Sequence, residues 1–282
     1  MQTHCIEIHG LTQRFHVAGS GPICIVHSGG PGIGWEYLRM PLLELSLTLI
    51  YVEPIGTGFS GQLSDPRGYT IGRYSRQLIG ILDHLRLSRA HVLGHSYGGF
   101  VAQRLALDHP DRVASLVLYA TSPVTGPEFL ADARANIARI AKRSGDDQLC
   151  ASFDAIWTSG DDATFTRHFR AIFPAYFAEY QARAAEFEPL RSALVASWDP
   201  MRGESPDGPF DTRSALGKLR IPTLVTTGRH DYICGPRWAE LLVRGVPGAA
   251  SLTFERSGHM SHLEEAEDFA RAIADFVSRC PS

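Results

Sequence analysis

Ser96 sits at the centre of Gly94-His95-Ser96-Tyr97-Gly98, a G-x-S-x-G pattern. A serine hydroxyl is a weak nucleophile at neutral pH and needs a base, which in turn needs an acid to orient it. Later in the chain Asp231 closes Gly228-Arg229-His230-Asp231, and His259 lies in Ser257-Gly258-His259-Met260. Nucleophile, acid and base thus follow one another in the order Ser, Asp, His, which suits acyl transfer from a strand-end site. The sequence contains twelve histidines. Of these, His259 is set apart by its place in a glycine turn directly after a late strand pattern, with His262 its nearest rival. A developing alkoxide needs backbone N–H donors. The glycines of His27-Ser28-Gly29-Gly30-Pro31-Gly32 would let such donors approach. The Gly30 amide, paired with that of Tyr97, is the expected oxyanion hole.

These residues need a scaffold that brings three strand ends together. Ala90-His91-Val92-Leu93 reads as a short buried strand before the serine, and a helical pattern runs from Gly98 to Leu107 after it. The turn between them forces a strained serine backbone, which flanking glycines permit. Continuous apolar runs at Ile23-Cys24-Ile25-Val26 and at Leu47–Val52 have the form of strands buried on both faces. Val113–Tyr119, Thr223–Thr226 and Leu252–Phe254 continue the series. An amphipathic helix is expected over Tyr74–Leu85 and a last helix over Glu264–Val277. Alternating segments around Cys5–His9 and Arg14–Val17, parted by Gly10, suggest an N-terminal antiparallel hairpin. Strand alternating with helix implies a mainly parallel sheet with helices on both faces.

Residues 122–212 break the rhythm. They show several helical stretches, no convincing strand, twelve aromatic residues and a surplus of five acidic over basic groups. Such an insertion between two strands reads as a cap over the ligand-binding strand ends. The expected organisation is a core of 1–121 and 213–282 carrying a helical cap at 122–212.

Composition limits the alternatives. With 282 residues, 44% hydrophobic and 20% charged, the chain has a soluble globular composition and can bury a large core. A net charge of −3 gives no basic face for nucleic acid, and no apolar run is long enough to span a membrane. Five scattered cysteines without C-x-x-C spacing fit reduced thiols, and the first residues show no signal-peptide pattern. A cytoplasmic location is the resulting expectation. No G-x-G-x-x-G opens a helix and no G-K-[ST] follows the glycine loop, so dinucleotide and P-loop readings fall away.

At these motifs the chain resembles an α/β-hydrolase of the proline iminopeptidase family. Gly29-Gly30-Pro31-Gly32 is similar to that family's H-G-G-P-G loop, Gly94–Gly98 to its nucleophile elbow, and Gly228–Asp231 with Gly258-His259 to its acid and base. The resemblance runs from about Cys5 to Phe276. It implies an α/β-hydrolase fold and release of an N-terminal residue, typically proline, from small peptides, with no metal or organic cofactor. It also directs attention to acidic groups that would grip a free amine, for which Glu179, Glu186, Glu188 and Glu204 are the cap candidates. The chain departs from the family at Ser28, where a histidine is usual, with His27 displaced by one. It departs again at Val52-Glu53-Pro54-Ile55-Gly56-Thr57-Gly58, which lacks the arginine of D-x-R-G-x-G, and at Tyr232, where some relatives carry an amine-binding Glu. The expected activity is therefore serine-dependent amide cleavage on small peptides or aminoacyl amides. The alternatives are an esterase, lactonase or thioesterase for a hydrophobic acyl compound, and a non-catalytic receptor on the same fold.

Overall fold

The computed structural model describes residues 1–203 and 209–280. Strands β1 (Gln2–Ile8) and β2 (Leu11–Gly19) form the N-terminal antiparallel hairpin, turning at His9 and Gly10 with φ of 52° and 74°. Strands β3 (Ile23–His27), β4 (Thr48–Glu53), β5 (Ala90–His95), β6 (Val113–Tyr119), β7 (Thr223–Gly228) and β8 (Ala250–Phe254) complete one eight-stranded sheet. Its order is β1-β2-β4-β3-β5-β6-β7-β8, parallel from β4 onward. Every residue of β5, β6 and β7 is buried, as their continuous apolar runs require of central strands covered on both faces.

Helix α1 (Ile71–His84) begins where the Thr70 hydroxyl accepts from the Arg73 amide, and α2 (Tyr97–Asp108) begins at Ser96. Between β6 and β7 the described residues of 122–212 form α3 (Pro127–Ser144), α4 (Gln148–Ile156), α5 (Asp162–Ile172), α6 (Ala184–Ala193) and α7 (Trp198–Arg202). They contribute no strand beyond the isolated bridges Ile33–Ala196 and Val124–Asp211. Proline opens α3, and Gly145, left-handed at φ 71°, ends it. The chain returns to the sheet at β7, α8 (Pro236–Gly245) links it to β8, and α9 (Ser261–Glu264) and α10 (Ala266–Ser278) follow the last strand. One apolar core fills the sheet face under the inserted helices and α10, and a second packs α1, α2 and α8 against the other face.

The last helical pattern, expected to be continuous over Glu264–Val277, is broken at Glu265 (φ −128°, ψ 53°). The Glu265 carboxylate accepts from the Arg256 amide at 2.9 Å and the Ser257 hydroxyl at 2.5 Å, and this pulls its backbone out of the helix. His262, expected inside that helix, lies in the short α9 ahead of it.

The loop after β4 lacks the expected arginine and is held from within by Glu53. This carboxylate is buried and accepts from the Ser60 amide at 2.8 Å as well as from the Phe59 amide. Its other oxygen faces His16 Nε2 at 3.3 Å and Arg14 Nε at 3.9 Å, both from β2. The partners that face this carboxylate, Arg14 and the His16 imidazole, stand on the neighbouring strand instead of in the loop. Glu53→Gln places an amide N–H₂ among donors and should lower the folding free energy by about 1–3 kcal/mol. An unchanged urea midpoint would show that the carboxylate is not what holds the loop.

Candidate active site

Ser96 ends the run of β5 and takes φ 55° and ψ −117°, a conformation costly for any residue with a Cβ. Its neighbours hold it there. The Ser96 amide donates to the Tyr119 carbonyl at 2.9 Å, and its carbonyl accepts from the Gly99 amide and the Thr121 hydroxyl. A Cβ on Gly98 would strike the His27 carbonyl, so only glycine lets α2 come this close to the end of β3.

Asp231 and His259 stand on the turns after β7 and β8, at the same sheet edge. Asp231 Oδ1 accepts from the amides of Ile233 and Cys234, both at 2.9 Å. Its Oδ2 lies 2.7 Å from His259 Nδ1, and both side chains are buried. A carboxylate so placed accepts a hydrogen bond from Nδ1–H, which keeps the hydrogen on that nitrogen and leaves the Nε2 lone pair free to act as the base. His259 and Ser96 line one cavity, together with Gly29, Gly30 and Tyr37. No hydrogen bond joins the Ser96 hydroxyl to the imidazole among the described residues. Such a gap is common before substrate arrives. Beside Ser96 is Cys234, whose thiol burial drives well above its ordinary pKa, leaving it an inert neighbour.

The glycine loop comes within reach of the serine. Gly29 donates its amide to the Tyr37 hydroxyl at 2.7 Å, while Gly30, at φ 135°, lines the cavity. Tyr97 opens α2, so its N–H precedes the helix's own ladder of bonds. Ser28 tightens the loop by donating to the Ile33 carbonyl at 3.3 Å. The displaced His27 is buried under Tyr74, where desolvation lowers its pKa to about 4, and it does not line the cavity.

The cavity measures about 70 Å³, room for roughly five waters at ~10–15 Å³ each. Its walls are apolar and aromatic. Phe153 and Ile156 come from α4, Phe165 and Phe169 from α5, and Tyr176 and Tyr232 close the side near the imidazole. Glu179, Glu186 and Glu188 are exposed and do not line it. Glu186 pairs with Arg183 and Glu188 with Arg191. Glu204 lies outside the described residues. The described residues contain no group of three or more side chains able to hold a metal ion, and no helix among them is long and apolar enough to cross a membrane.

One functional contact has no signal in the sequence motifs. Glu264 accepts from the amide of Gly258 at 2.7 Å and from that of Ala178 at 2.7 Å. The His259 amide also donates to the Tyr176 carbonyl at 2.7 Å. The inserted segment is thus clasped to the histidine turn. Burial raises the Glu264 pKa to about 7, against the amide bonds and Arg183, which favour the charged form. The folded chain therefore binds a proton that the unfolded chain releases from about pH 4.5 upward. Stability attributable to Glu264 is complete below pH 4.5 and is lost as pH rises through 7. Thermal melts should show the advantage of wild type over Glu264→Gln shrinking across that window, by at most about 1.4 kcal/mol per pH unit. A pH-independent difference would mean that the carboxyl titrates normally.

Comparison with known proteins fits this geometry. Residues 21–266 match the family model described as alpha/beta hydrolase fold. The chain is 27% identical over 280 residues to a 2-hydroxymuconate semialdehyde hydrolase of Pseudomonas sp. (strain CF600), covering 95% of this chain and 91% of the relative. It is likewise 27% identical over 281 residues to a proline iminopeptidase of Heyndrickxia coagulans, covering 94% of each. The crystal structure of the enol-lactonase from Burkholderia xenovorans LB400 superposes with a TM-score of 0.77 over 98% of this chain and 100% of that one, at 19% identity, a likeness of fold. The chain belongs to the α/β-hydrolase family.

Proposed function

We propose that this chain, a serine hydrolase of the α/β-hydrolase family, opens small, uncharged, hydrophobic esters or lactones through an acyl-enzyme on Ser96. The cavity carries the reading. Apart from the imidazole of His259 and its neutral neighbour His95, the described residues that line it include no Asp, Glu, Lys or Arg, and their phenols are held neutral by burial. An ammonium or carboxylate drawn into such walls would lose its hydration without a partner, whereas an acyl chain gains about 25 cal/mol for each Å² it buries. The acidic surplus of the inserted segment is spent elsewhere, in surface pairs such as Glu128 with Arg213 and Arg237, and Asp154 with Arg134.

In this reading Ser96 attacks the carbonyl as His259 Nε2 takes the hydroxyl proton, with Asp231 holding the tautomer and stabilising the imidazolium. The Gly30 and Tyr97 amides receive the oxyanion. His259 then returns the proton to the leaving alkoxide, and water repeats the cycle to free the acid. Relatives named as hydrolases of a hydroxymuconate semialdehyde and as proline iminopeptidases share hydrolysis, while their substrates differ.

The proline iminopeptidase relatives favour a second reading, an aminopeptidase acting on short peptides. A single screen separates the two. Short-chain p-nitrophenyl esters should be turned over at least tenfold more efficiently than prolyl and other aminoacyl β-naphthylamides. The reverse order would establish the aminopeptidase. Ser96→Ala should abolish turnover and fluorophosphonate labelling with little change in the thermal melt, and Asp231→Asn should lower kcat by about 10⁴. Retained activity in Ser96→Ala would move the nucleophile elsewhere.

A further inference from the structure

His95 closes β5 immediately before the nucleophile, and its bonds fix which nitrogen carries hydrogen. Its Nε2 lies 3.1 Å from the His259 carbonyl oxygen, which can only accept, so the hydrogen is on Nε2. Its Nδ1 lies 2.6 Å from the Tyr37 hydroxyl and must accept from it. That same hydroxyl oxygen accepts the Gly29 N–H at 2.7 Å. The other end of Tyr37 is held in the same way. Its carbonyl accepts from His262 Nε2 at 2.9 Å, and His262 Nδ1 lies 2.9 Å from the Tyr119 hydroxyl. All four side chains are buried. Desolvation keeps both histidines neutral, His262 with its pKa lowered to about 4 and His95 well below the ordinary value. A protonated His95 would put a second N–H on the Tyr37 oxygen and leave the hydroxyl hydrogen without an acceptor.

This chain of bonds ends at the oxyanion loop. A Cβ on Gly29 would stand 2.9 Å from the Tyr37 hydroxyl, 3.0 Å from Ser96 Cβ and 3.4 Å from His95 Nδ1. The loop therefore rests directly on the serine, and the Tyr37 hydroxyl is the polar contact that holds it there. We infer that Tyr37 and His95 form a positioning pair that sets the Gly29-Gly30 loop against Ser96 and so aims the Gly30 amide at the developing oxyanion. The inference rests on the acyl-transfer reading above. Neither residue touches the reacting atoms in this role. Displacing the loop should leave ground-state binding intact while weakening every step that builds negative charge on oxygen.

Fluorophosphonate labelling tests this without knowledge of the natural substrate. Ser96 Oγ forms a bond to phosphorus, fluoride leaves, the hydroxyl proton passes to His259, and the charge on the phosphoryl oxygen calls on the same amides. In Tyr37→Phe the second-order labelling rate should fall about 10- to 100-fold, the scale expected when a reacting group is misplaced by about 1 Å. The kcat for a p-nitrophenyl ester should fall by a similar factor, with KM within about twofold. His95→Leu should behave like Tyr37→Phe. His95→Asn, whose Oδ1 stands where Nδ1 stood, should keep the labelling rate within about threefold of wild type. Labelling of Tyr37→Phe at the wild-type rate, or a loss confined to KM or to the melting temperature, would overturn the positioning role. Absence of Ser96 labelling in the wild type would remove the acyl-transfer reading itself, and this inference with it.

Discussion

The structure depends on how closely α2 approaches the end of β3. That approach exists because Gly98 presents no side chain to the His27 carbonyl. From it follow the turn that strains Ser96, the proximity of the glycine loop, and the direction in which the helix amides point. A left-handed serine backbone costs on the order of 1–3 kcal/mol. Bonds from Tyr119, Gly99 and Thr121 over-determine the turn and make the strain tolerable. Strain here is a by-product of exposing a hydroxyl where a strand, a loop and a helix N-terminus converge.

Around this point, charge is sorted by depth. Several carboxylates and guanidinium groups of the inserted helices pair at the surface, as Asp154 does with Arg134, Glu186 with Arg183 and Glu188 with Arg191, where each pair contributes little to stability. Beneath the cavity, His95, His262, Tyr37 and Tyr119 are neutral and satisfy one another's hydrogen bonds. Asp231 is the buried exception among the groups facing the imidazole, and it is supplied with two amide donors and one imidazole donor. Among the described residues that line the cavity, no carboxylate, ammonium or guanidinium group competes with the Asp231–His259 pair behind it.

What the sequence revealed and what it concealed follow a physical division. Ser96, Asp231 and His259 were legible because each occupies a tight turn immediately after a strand, and both turn and strand leave local patterns. The buried runs of β3, β5, β6 and β7 were legible for the same reason. Tyr37, His95 and Glu264 were not, because their roles arise from hydrogen bonds between residues that meet only after the sheet has formed. Glu53 shows a related limit. The absence of an arginine from its loop was visible, but the groups that face the carboxylate instead, Arg14 and His16, arrive from another strand through sheet register. The acidic surplus at 122–212 is plain in the sequence, yet a count carries no direction, and the described candidates Glu179, Glu186 and Glu188 face solvent. The break at Glu265 escaped for the same reason as Glu264: helical periodicity says nothing of a carboxylate needed elsewhere.

The clasp between the inserted helices and the histidine turn has a mutational consequence. In segment 173–178, Tyr176 accepts from the His259 amide and Ala178 shares the Glu264 carboxylate with Gly258, so a change there disturbs the histidine turn as well as the cavity wall. Helices α4 and α5 carry no such bond to the histidine turn, although they supply much of the wall through Phe153, Ile156, Phe165 and Phe169, and Trp157 beside them reaches solvent. The insertion is thus divided into a constrained half and a permissive half. A substitution on α4 or α5 can reshape the cavity while every hydrogen bond of the histidine turn stays in place.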